Sequence, residues 1–233
     1  METGRKGNNV KKALEMKLHY NTVSPILMDA LTKLMQEKTF DIFRLVGGTA
    51  LALQLGHRVS VDIDMFTDVE YGSINLHELA DSIQRLFPHV EGLEKLRTNA
   101  PGYTLYCGEN DSETVKVDLF YTDPFLFPPI IDGKLRIADT RDIAAMKILA
   151  ISNATRGKDY WDIHELLNQF SLNEMLSLAV ERFPYTIDRN EVITKLVSLP
   201  IEMFDPSIIS LKGDFWEFVV EDIMEAAQKL MIN

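Results

Sequence analysis

A glycine pair followed by two alternating aspartates constrains this chain more than any other part of its sequence. Between Phe43 and Phe66, a short apolar run ends in Gly47-Gly48-Thr49, a helix-like segment follows, and a second apolar run carries Asp62 and Asp64. Glycines between a strand and a helix let the backbone approach a phosphate, and the helix N-terminus adds free N–H groups. A tight turn alone would also use such glycines, so the aspartates decide the interpretation.

Alternation along a strand predicted at Val59–Phe66 gives the aspartates a common face. Ser60, Asp62, Asp64 and Phe66 fall on one face, and Val59, Val61, Ile63 and Met65 fall on the other, which we expect to face the core. Asp118 is placed in the same way on a strand predicted at Thr114–Tyr121. Adjacent carboxylates suit Mg²⁺ ions that bridge a triphosphate, and a third can act as a general base. The alternative, an acidic edge strand, leaves the apolar face unexplained.

Composition limits the classes of protein that fit. The chain has 233 residues, enough for one core or for one core with a small appended domain. The net charge of −11 argues against broad affinity for nucleic acid, but it allows a local basic patch or a basic partner. Cys107 is the single cysteine, which excludes an internal disulfide, and no apolar run is long enough to cross a membrane. These features favour the cytoplasm.

The pattern of elements predicts an α/β (α+β) fold, a mixed sheet flanked by helices with a C-terminal helical domain. Strands are expected at Phe43–Val46, Gly92–Arg97 and Tyr103–Cys107 besides the two above, and only helices beyond Thr140. We expect a loosely ordered extension over residues 1–15, an α/β domain over 16–138 and a helical domain over 139–233.

Three strings of this sequence carry a family resemblance. They are VGGTALALQLGHRVSVDIDMFT, VKVDLF and DIAAMKILAISNATRGKDYWDIHEL, which together span much of residues 43–167. The first contains Gly47-Gly48-Thr49, twelve residues and then Asp62-Ile63-Asp64, and it is similar to the signature of the DNA polymerase β-like nucleotidyltransferases. The longer strings resemble the AbiEii-type nucleotidyl transferase toxins.

The resemblance implies a nucleotidyltransferase fold and a set of site residues. Gly47, Gly48 and Thr49, with Ser60 and Lys158, would bind the nucleotide, Asp62, Asp64 and Asp118 would hold Mg²⁺ or Mn²⁺, and Lys147 and Asp162 would complete the catalytic set. The reaction would move a nucleotide from an NTP to an acceptor hydroxyl, on RNA such as a tRNA 3′ end or on a protein. A cognate antitoxin would control the activity, and no membrane would be involved.

Residue chemistry leaves alternatives open for this set. Lys147 lies among apolar residues, where its aliphatic stem could instead run out to solvent. Asp159, which the resemblance also implies for the site, suits a helix N-cap as well as a catalytic role. Asp162, three residues later, suits the helix dipole and could serve both the helix and the site. Two other functions use the same scaffold: a non-catalytic nucleotide- or partner-binding protein, and a metal-dependent phosphodiesterase.

Overall fold

A seven-stranded mixed sheet forms the centre of the computed structural model, which describes residues 17–153 and 156–232. The strands are β1 Arg44–Val46, β2 Asp62–Thr67, β3 His89–Glu91, β4 Gly102–Asn110, β5 Glu113–Tyr121, β6 Ile130–Asp132 and β7 Leu135–Ile137. Their order is β3-β4-β5-β2-β1-β7-β6, with β2 antiparallel to β1 and parallel to β5. The predicted α/β class is confirmed, while the extension predicted at residues 1–15 lies outside the described residues.

Eight α-helices flank the sheet within the described ranges. They are α1 Pro25–Gln36, α2 Gly47–Leu55, α3 Leu76–Leu86, α4 Thr140–Asn153, α5 Gly157–Leu167, α6 Leu172–Arg182, α7 Arg189–Val197 and α8 Trp216–Ile232. Local chemistry explains several of their starts: Ser24 caps α1 ahead of Pro25, Asn75 caps α3, and Ser171 forms a capping box on α6.

The alternation predicted for Val59–Phe66 is confirmed from Asp62 onward, within β2, and is wrong for the residues before it. Ile63 and Met65 are fully buried, as expected for the core face. The strand begins only at Asp62, however, and Val61 is 69% exposed. The preceding residues leave the sheet because their backbone bonds elsewhere: Val59 N–H donates to the Ile209 carbonyl and Ser60 N–H to the Thr22 carbonyl.

Two further strand predictions need correction. The segment Leu93–Arg97 is a 3₁₀ helix, and the neighbouring strand β3 lies just before it. Gly92 separates the two with a φ of 83°, a left-handed conformation that ends the strand. Strands β6 and β7, which the sequence prediction missed, form a hairpin around Gly133. Each strand has three residues, which is too short to show alternation.

Helix α2 connects the sheet to the helices that follow β7. It contacts β1 and β2 on one side and α4 and α5 on the other. Beyond Thr140 the described elements are helices, apart from one isolated bridge between Arg58 and Ser210. Buried side chains from both parts belong to one continuous hydrophobic core, so the domain division at residue 138 stays a prediction. In the part of the chain described, no helix is long and apolar enough to cross a membrane.

Candidate active site

The register of β2 and β5 brings the predicted carboxylates together. The two strands are parallel, with Asp64 directly opposite Asp118 and Asp62 opposite Lys116. Side chains at opposite positions of paired strands lie about 5 Å apart at Cβ. Asp62 and Asp64 share a face because they are two residues apart on one strand. The three aspartates therefore occupy one small area of the sheet surface.

Asp64 shows the electrostatic strain of this arrangement. Burial, together with the negative charges of Asp118 and Asp62, raises the pKa of its carboxyl group to about 6. Two lysines reduce the repulsion among the three carboxylates: Lys158 Nζ lies 3.2 Å from Asp62 Oδ2, and Lys116 Nζ donates to Asp118. Asp118 also accepts a hydrogen bond of 2.6 Å from the Thr104 hydroxyl.

These carboxylates fit a hard divalent cation by their chemistry. All three offer oxygen atoms, which Mg²⁺ and Mn²⁺ prefer, and the raised pKa of Asp64 marks an anion that a cation would stabilise. Among residues 17–153 and 156–232, no three acidic, histidine or cysteine side chains already converge at metal-binding distance. Ammonium groups contact two of the carboxylates, Asp62 and Asp118, directly.

The turn between β1 and α2 lies beside Asp64 and needs its glycines. Gly47 has a φ of 67°, and a Cβ atom there would lie 2.2 Å from Asp64 Oδ2. A Cβ atom on Gly48 would lie 2.2 Å from Arg58 Nη2. The N-cap of α2 is Val46, which gives no side-chain cap, so the N-terminal amides of α2 are left for an anion.

Thr49 occupies a different place from the one predicted for a phosphate-binding hydroxyl. Its side chain is buried, and its Oγ1 donates to the Asp62 carbonyl and lies 2.8 Å from Ser60 Oγ. These contacts fasten α2 to the start of β2. Ser60 lines the cavity described below, whereas the Thr49 side chain does not.

Asp162 is the centre of a buried ionic cluster, which we define as Arg58, Lys147, Asp159 and Asp162. The Arg58 guanidinium binds both oxygens of Asp162, at 2.7 and 2.9 Å, and Lys147 Nζ lies 2.5 Å from it. His57 Nε2 is 2.7 Å from the same carboxylate. Burial disfavours the charged carboxylate, but Arg58 and Lys147 outweigh it and hold the pKa of Asp162 well below its usual range.

Asp159 pairs with the same lysine from one turn earlier on α5. Lys147 Nζ lies 2.7 Å from Asp159, and Arg156 reaches the other oxygen at 3.1 Å. Burial disfavours the Lys147 ammonium, but Asp162 and Asp159 outweigh it, so its pKa is raised. Of the two roles left open for Asp159, the helix N-cap is excluded, because Arg156 is the N-cap residue and Asp159 lies inside the first turn.

The cluster separates the predicted site residues into two groups. Lys147, Asp159 and Arg58 line the cavity, as do Lys158 and the three aspartates of the sheet. Asp162 is fully buried and does not line it. The structure therefore places Asp162 behind the site, where it holds Arg58 and Lys147 in position.

One cavity of about 260 Å³ lies between the sheet surface and helices α4 and α5. Its polar end is formed by the aspartates, the glycine turn and the lysines. Its other end is apolar and is formed by Phe66, Met146, Leu149 and Phe183. Such a cavity, polar at one end and apolar at the other, suits a phosphorylated organic ligand.

Comparison with known protein families decides which group of proteins this chain falls into. The family model described as nucleotidyl transferase AbiEii toxin, Type IV TA system, matches residues 29–227. The chain belongs to this family. It is thus a nucleotidyltransferase toxin of a type IV toxin–antitoxin system, a class that implies a nucleotide substrate and a cognate antitoxin.

Individual relatives of this AbiEii toxin are distant in sequence but similar in fold. An uncharacterized protein, aq_aa25 of Aquifex aeolicus (strain VF5), is 29% identical over 176 residues, covering 72% of this chain and 79% of the relative. A Helicobacter pylori protein described as a candidate nucleotidyltransferase superimposes with a TM-score of 0.59 at 18% identity, over 87% of this chain and 90% of that one. The nucleotidyltransferase toxin MenT4 (Rv2826c) of Mycobacterium tuberculosis H37Rv gives 0.55 at 12% identity, over 87% and 82%.

Sequence reasoning missed three contributors to the site of this toxin. His57 lies in the loop after α2, but its side chain is buried against Asp162, which no local pattern indicates. Lys116 lies beside Asp118 on the polar face of β5, where the alternation already placed it. Arg182 forms a fully buried pair with Asp142 at 2.9 Å, and only the fold brings these two residues together.

Proposed function

We propose that this AbiEii toxin transfers a nucleoside monophosphate from an NTP to an acceptor hydroxyl in a reaction that requires Mg²⁺ or Mn²⁺. The observation that carries the proposal is the row of Asp62, Asp64 and Asp118 beside the Gly47-Gly48 turn. Carboxylates for a metal and backbone amides for a phosphate lie within one cavity. The proposal places the reaction in the cytoplasm, where NTPs and RNA are abundant.

Asp62, Asp64 and Asp118 would hold the divalent cation. The cation would neutralise charge on the triphosphate and on the departing pyrophosphate. The raised pKa of Asp64 supports this assignment, because a carboxylate that is strained when ionised gains most from a cation. In the metal-free protein, Lys116 pairs with Asp118 and Lys158 pairs with Asp62.

The glycine turn and Lys158 bind and orient the triphosphate. Amides at the N-terminus of α2 donate to phosphate oxygens, and Gly47 and Gly48 let the phosphate approach closely. Lys158 is one-third exposed and extends toward Asp62, so its ammonium can shift to a phosphate. Lys147 adds positive charge at the cavity wall, but two buried aspartates already balance it, so we assign it mainly to positioning.

Asp118 is placed to take the proton of the acceptor hydroxyl. That oxygen forms a bond to the α-phosphorus, the bond to the bridging oxygen of pyrophosphate breaks, and pyrophosphate leaves with the electron pair. The hydrogen bond from Thr104 and the ion pair with Lys116 orient the Asp118 carboxylate. Asp162 acts indirectly, since it fixes Arg58 against the glycine turn.

An acceptor reaches this site through a second groove. The groove shares Ser60, Asp62, Arg156 and Lys158 with the cavity and continues to the exposed Val61 and Ile209. Arg156 is largely exposed there, and with Lys158 it offers cationic groups to a phosphate backbone. These local cations in an acidic protein favour the 3′ end of an RNA, such as a tRNA, over a protein acceptor.

Labelled substrates distinguish this proposal from its alternatives. NTP labelled at the α-phosphate is incubated with the toxin, Mg²⁺ and total RNA, and the expected result is label covalently attached to RNA with release of pyrophosphate. Label attached to protein instead of RNA would support nucleotidyl transfer but contradict the RNA acceptor. Binding without transfer would indicate a non-catalytic binding protein, and shortened RNA without incorporation would indicate a phosphodiesterase; either result overturns the proposal.

A further inference from the structure

The apolar end of the cavity continues the face that carries the aspartates. Phe66 follows Asp62 and Asp64 on the same face of β2, and it lies two residues, or about 7 Å, beyond Asp64 along the strand. Met146 and Leu149 approach from α4, and Phe183 follows the last residue of α6. A ligand with its phosphates at the glycine turn would therefore present its next portion to an aromatic and aliphatic surface.

The acceptor groove leaves from the opposite end. It branches at Asp62, Ser60 and Lys158 and runs toward Val61 and Ile209, while none of the four apolar residues lines it. Two substrates that react at the aspartates are bound at the same time, so they must extend away from that point in different directions. With the acceptor chain in the groove, the remaining part of the nucleotide lies at the apolar end.

A buried ion pair fixes one polar group at that end. Arg182 and Asp142 pair at 2.9 Å with both side chains fully buried, and Asp142 also accepts the amides of Leu126 and Phe127. The other terminal nitrogen of Arg182 donates to Thr122 Oγ1 at 3.3 Å. Arg182 has only donors, so this bond uses a lone pair of the hydroxyl and leaves its hydrogen free.

The Thr122 hydroxyl hydrogen is thus available to a ligand in the cavity that this residue lines. Thr122 lines the cavity beside Phe183, the residue that follows Arg182. Among the described residues, no acceptor takes the Thr122 hydroxyl hydrogen. An apolar pocket binds the faces of a flat ring, and a hydrogen-bond donor at its edge favours rings that carry an acceptor at that position over rings that do not.

We infer that Phe66, Met146, Leu149 and Phe183 bind the base of the donor nucleotide and that the Thr122 hydroxyl, oriented by Arg182, selects among bases. This inference rests on the proposed nucleotidyl transfer, whose triphosphate site it extends. Thr122 is a specificity-determining residue, and Arg182 positions it.

Binding of truncated ligands tests the subsite separately from the reaction. Titration calorimetry with Mg²⁺ compares the four NTPs, ribose 5-triphosphate and inorganic triphosphate on the wild-type protein. We expect at least one NTP to bind about tenfold or more tightly than ribose 5-triphosphate. Equal affinities would overturn the base subsite and leave the proposed transfer intact. Failure of all six ligands to bind would overturn both.

Substitution of Thr122 tests the selecting hydroxyl. Thr122→Val should lower the affinity for the preferred NTP about tenfold, the effect of roughly one hydrogen bond, and reduce the differences among the four NTPs. Its affinity for ribose 5-triphosphate should not change. Thr122→Ser should retain the wild-type preference, and Thr194→Val, at an exposed position on α7, is the matched control. An equal loss for all ligands, or no change, would overturn the role of Thr122.

Discussion

At the scale of single residues, Asp64 carries the highest electrostatic cost in the site. Its carboxylate is flanked by Asp118 across the sheet and by Asp62 on its own strand. Proteins keep such strained charges where a ligand or a reaction uses them. Two consequences for stability follow, one at Asp64 and one at Asp162.

Substituting Asp64 should stabilise the metal-free protein. Because the folded pKa of about 6 lies above the ordinary value of 3.8, the native state binds a proton between these values that the unfolded chain does not. Stability therefore falls as pH rises through this window, and the cost is fully present at pH 7. Asp64→Asn should raise the unfolding free energy at pH 7 by about 1–2 kcal/mol and flatten the profile between pH 4 and 6.

Urea denaturation at several pH values with a chelator present measures this effect. Asp222→Asn is the control, since Asp222 is exposed and its one ion pair among the described residues is with His164. If Asp64→Asn is no more stable than the wild type at pH 7, the strain assigned to Asp64 is absent.

Removing the charge of Asp162 should have the opposite effect. Asp162→Asn leaves Arg58 and Lys147 buried with one carboxylate, Asp159, between them. Breaking a buried charge network by removing one partner costs about 3–5 kcal/mol. Thermal unfolding should show a large decrease in Tm, while Asp222→Asn shifts it little. A decrease no larger than that control would contradict the proposed structural role of the cluster.

Local patterns predicted some of these residues and not others. Alternation alone placed Asp62, Asp64 and Asp118 on polar strand faces, because side chains alternate with a period of two. The same reasoning could not place Asp162 beneath the site, since its partner Arg58 lies 104 residues before it in the chain and its partner Lys147 lies on the preceding helix. Such contacts depend on how α4 and α5 pack on α2, which no local pattern encodes.

At the scale of elements, the turn between β1 and α2 sets the geometry of the phosphate site. Gly47 combines a left-handed backbone with a side-chain position occupied by Asp64. Gly133, in the hairpin between β6 and β7, has a similar φ of 58° but open space around its Cβ position. Substitution of Gly133 therefore tests backbone strain alone, whereas substitution of Gly47 adds steric overlap with Asp64.

Alanine substitutions at these glycines give a matched pair. Gly133→Ala should cost about 1 kcal/mol of stability from the left-handed backbone alone. Gly47→Ala should cost more, because Asp64 must move, and it should weaken binding of inorganic triphosphate about tenfold or more. Chemical denaturation and calorimetry measure the two quantities. Equal effects of both variants on triphosphate binding would contradict the assignment of the phosphate site.

Elements were predictable where their ends carry chemical signals. Ser24, Asn75 and Ser171 cap the helices that follow them, and a hydroxyl or amide beside the first turn is a signal that can be recognised in the sequence. The 3₁₀ helix at Leu93–Arg97 was predicted as a strand because a segment this short, with Leu93 and Leu96 its two apolar residues, has too few positions to show a period.

At the scale of the whole molecule, the site lies between two parts that share one core. The sheet supplies the aspartates and the glycine turn, and α4 and α5 supply Lys147 and Lys158. The buried ionic cluster joins these parts across the cavity wall. With a net charge of −11, most of the surface should repel RNA, so an RNA acceptor must depend on local cations such as Arg156.

The most direct test of nucleotidyl transfer is the rate at which α-phosphate label from an NTP becomes attached to RNA in the presence of Mg²⁺. The wild-type protein and Asp222→Asn should incorporate label at similar rates, and a chelator should abolish incorporation. Asp62→Asn and Asp64→Asn should each reduce the rate about 10³-fold or more while the protein remains folded. Incorporation that persists in both aspartate variants, or that continues without a divalent cation, would contradict the proposed function.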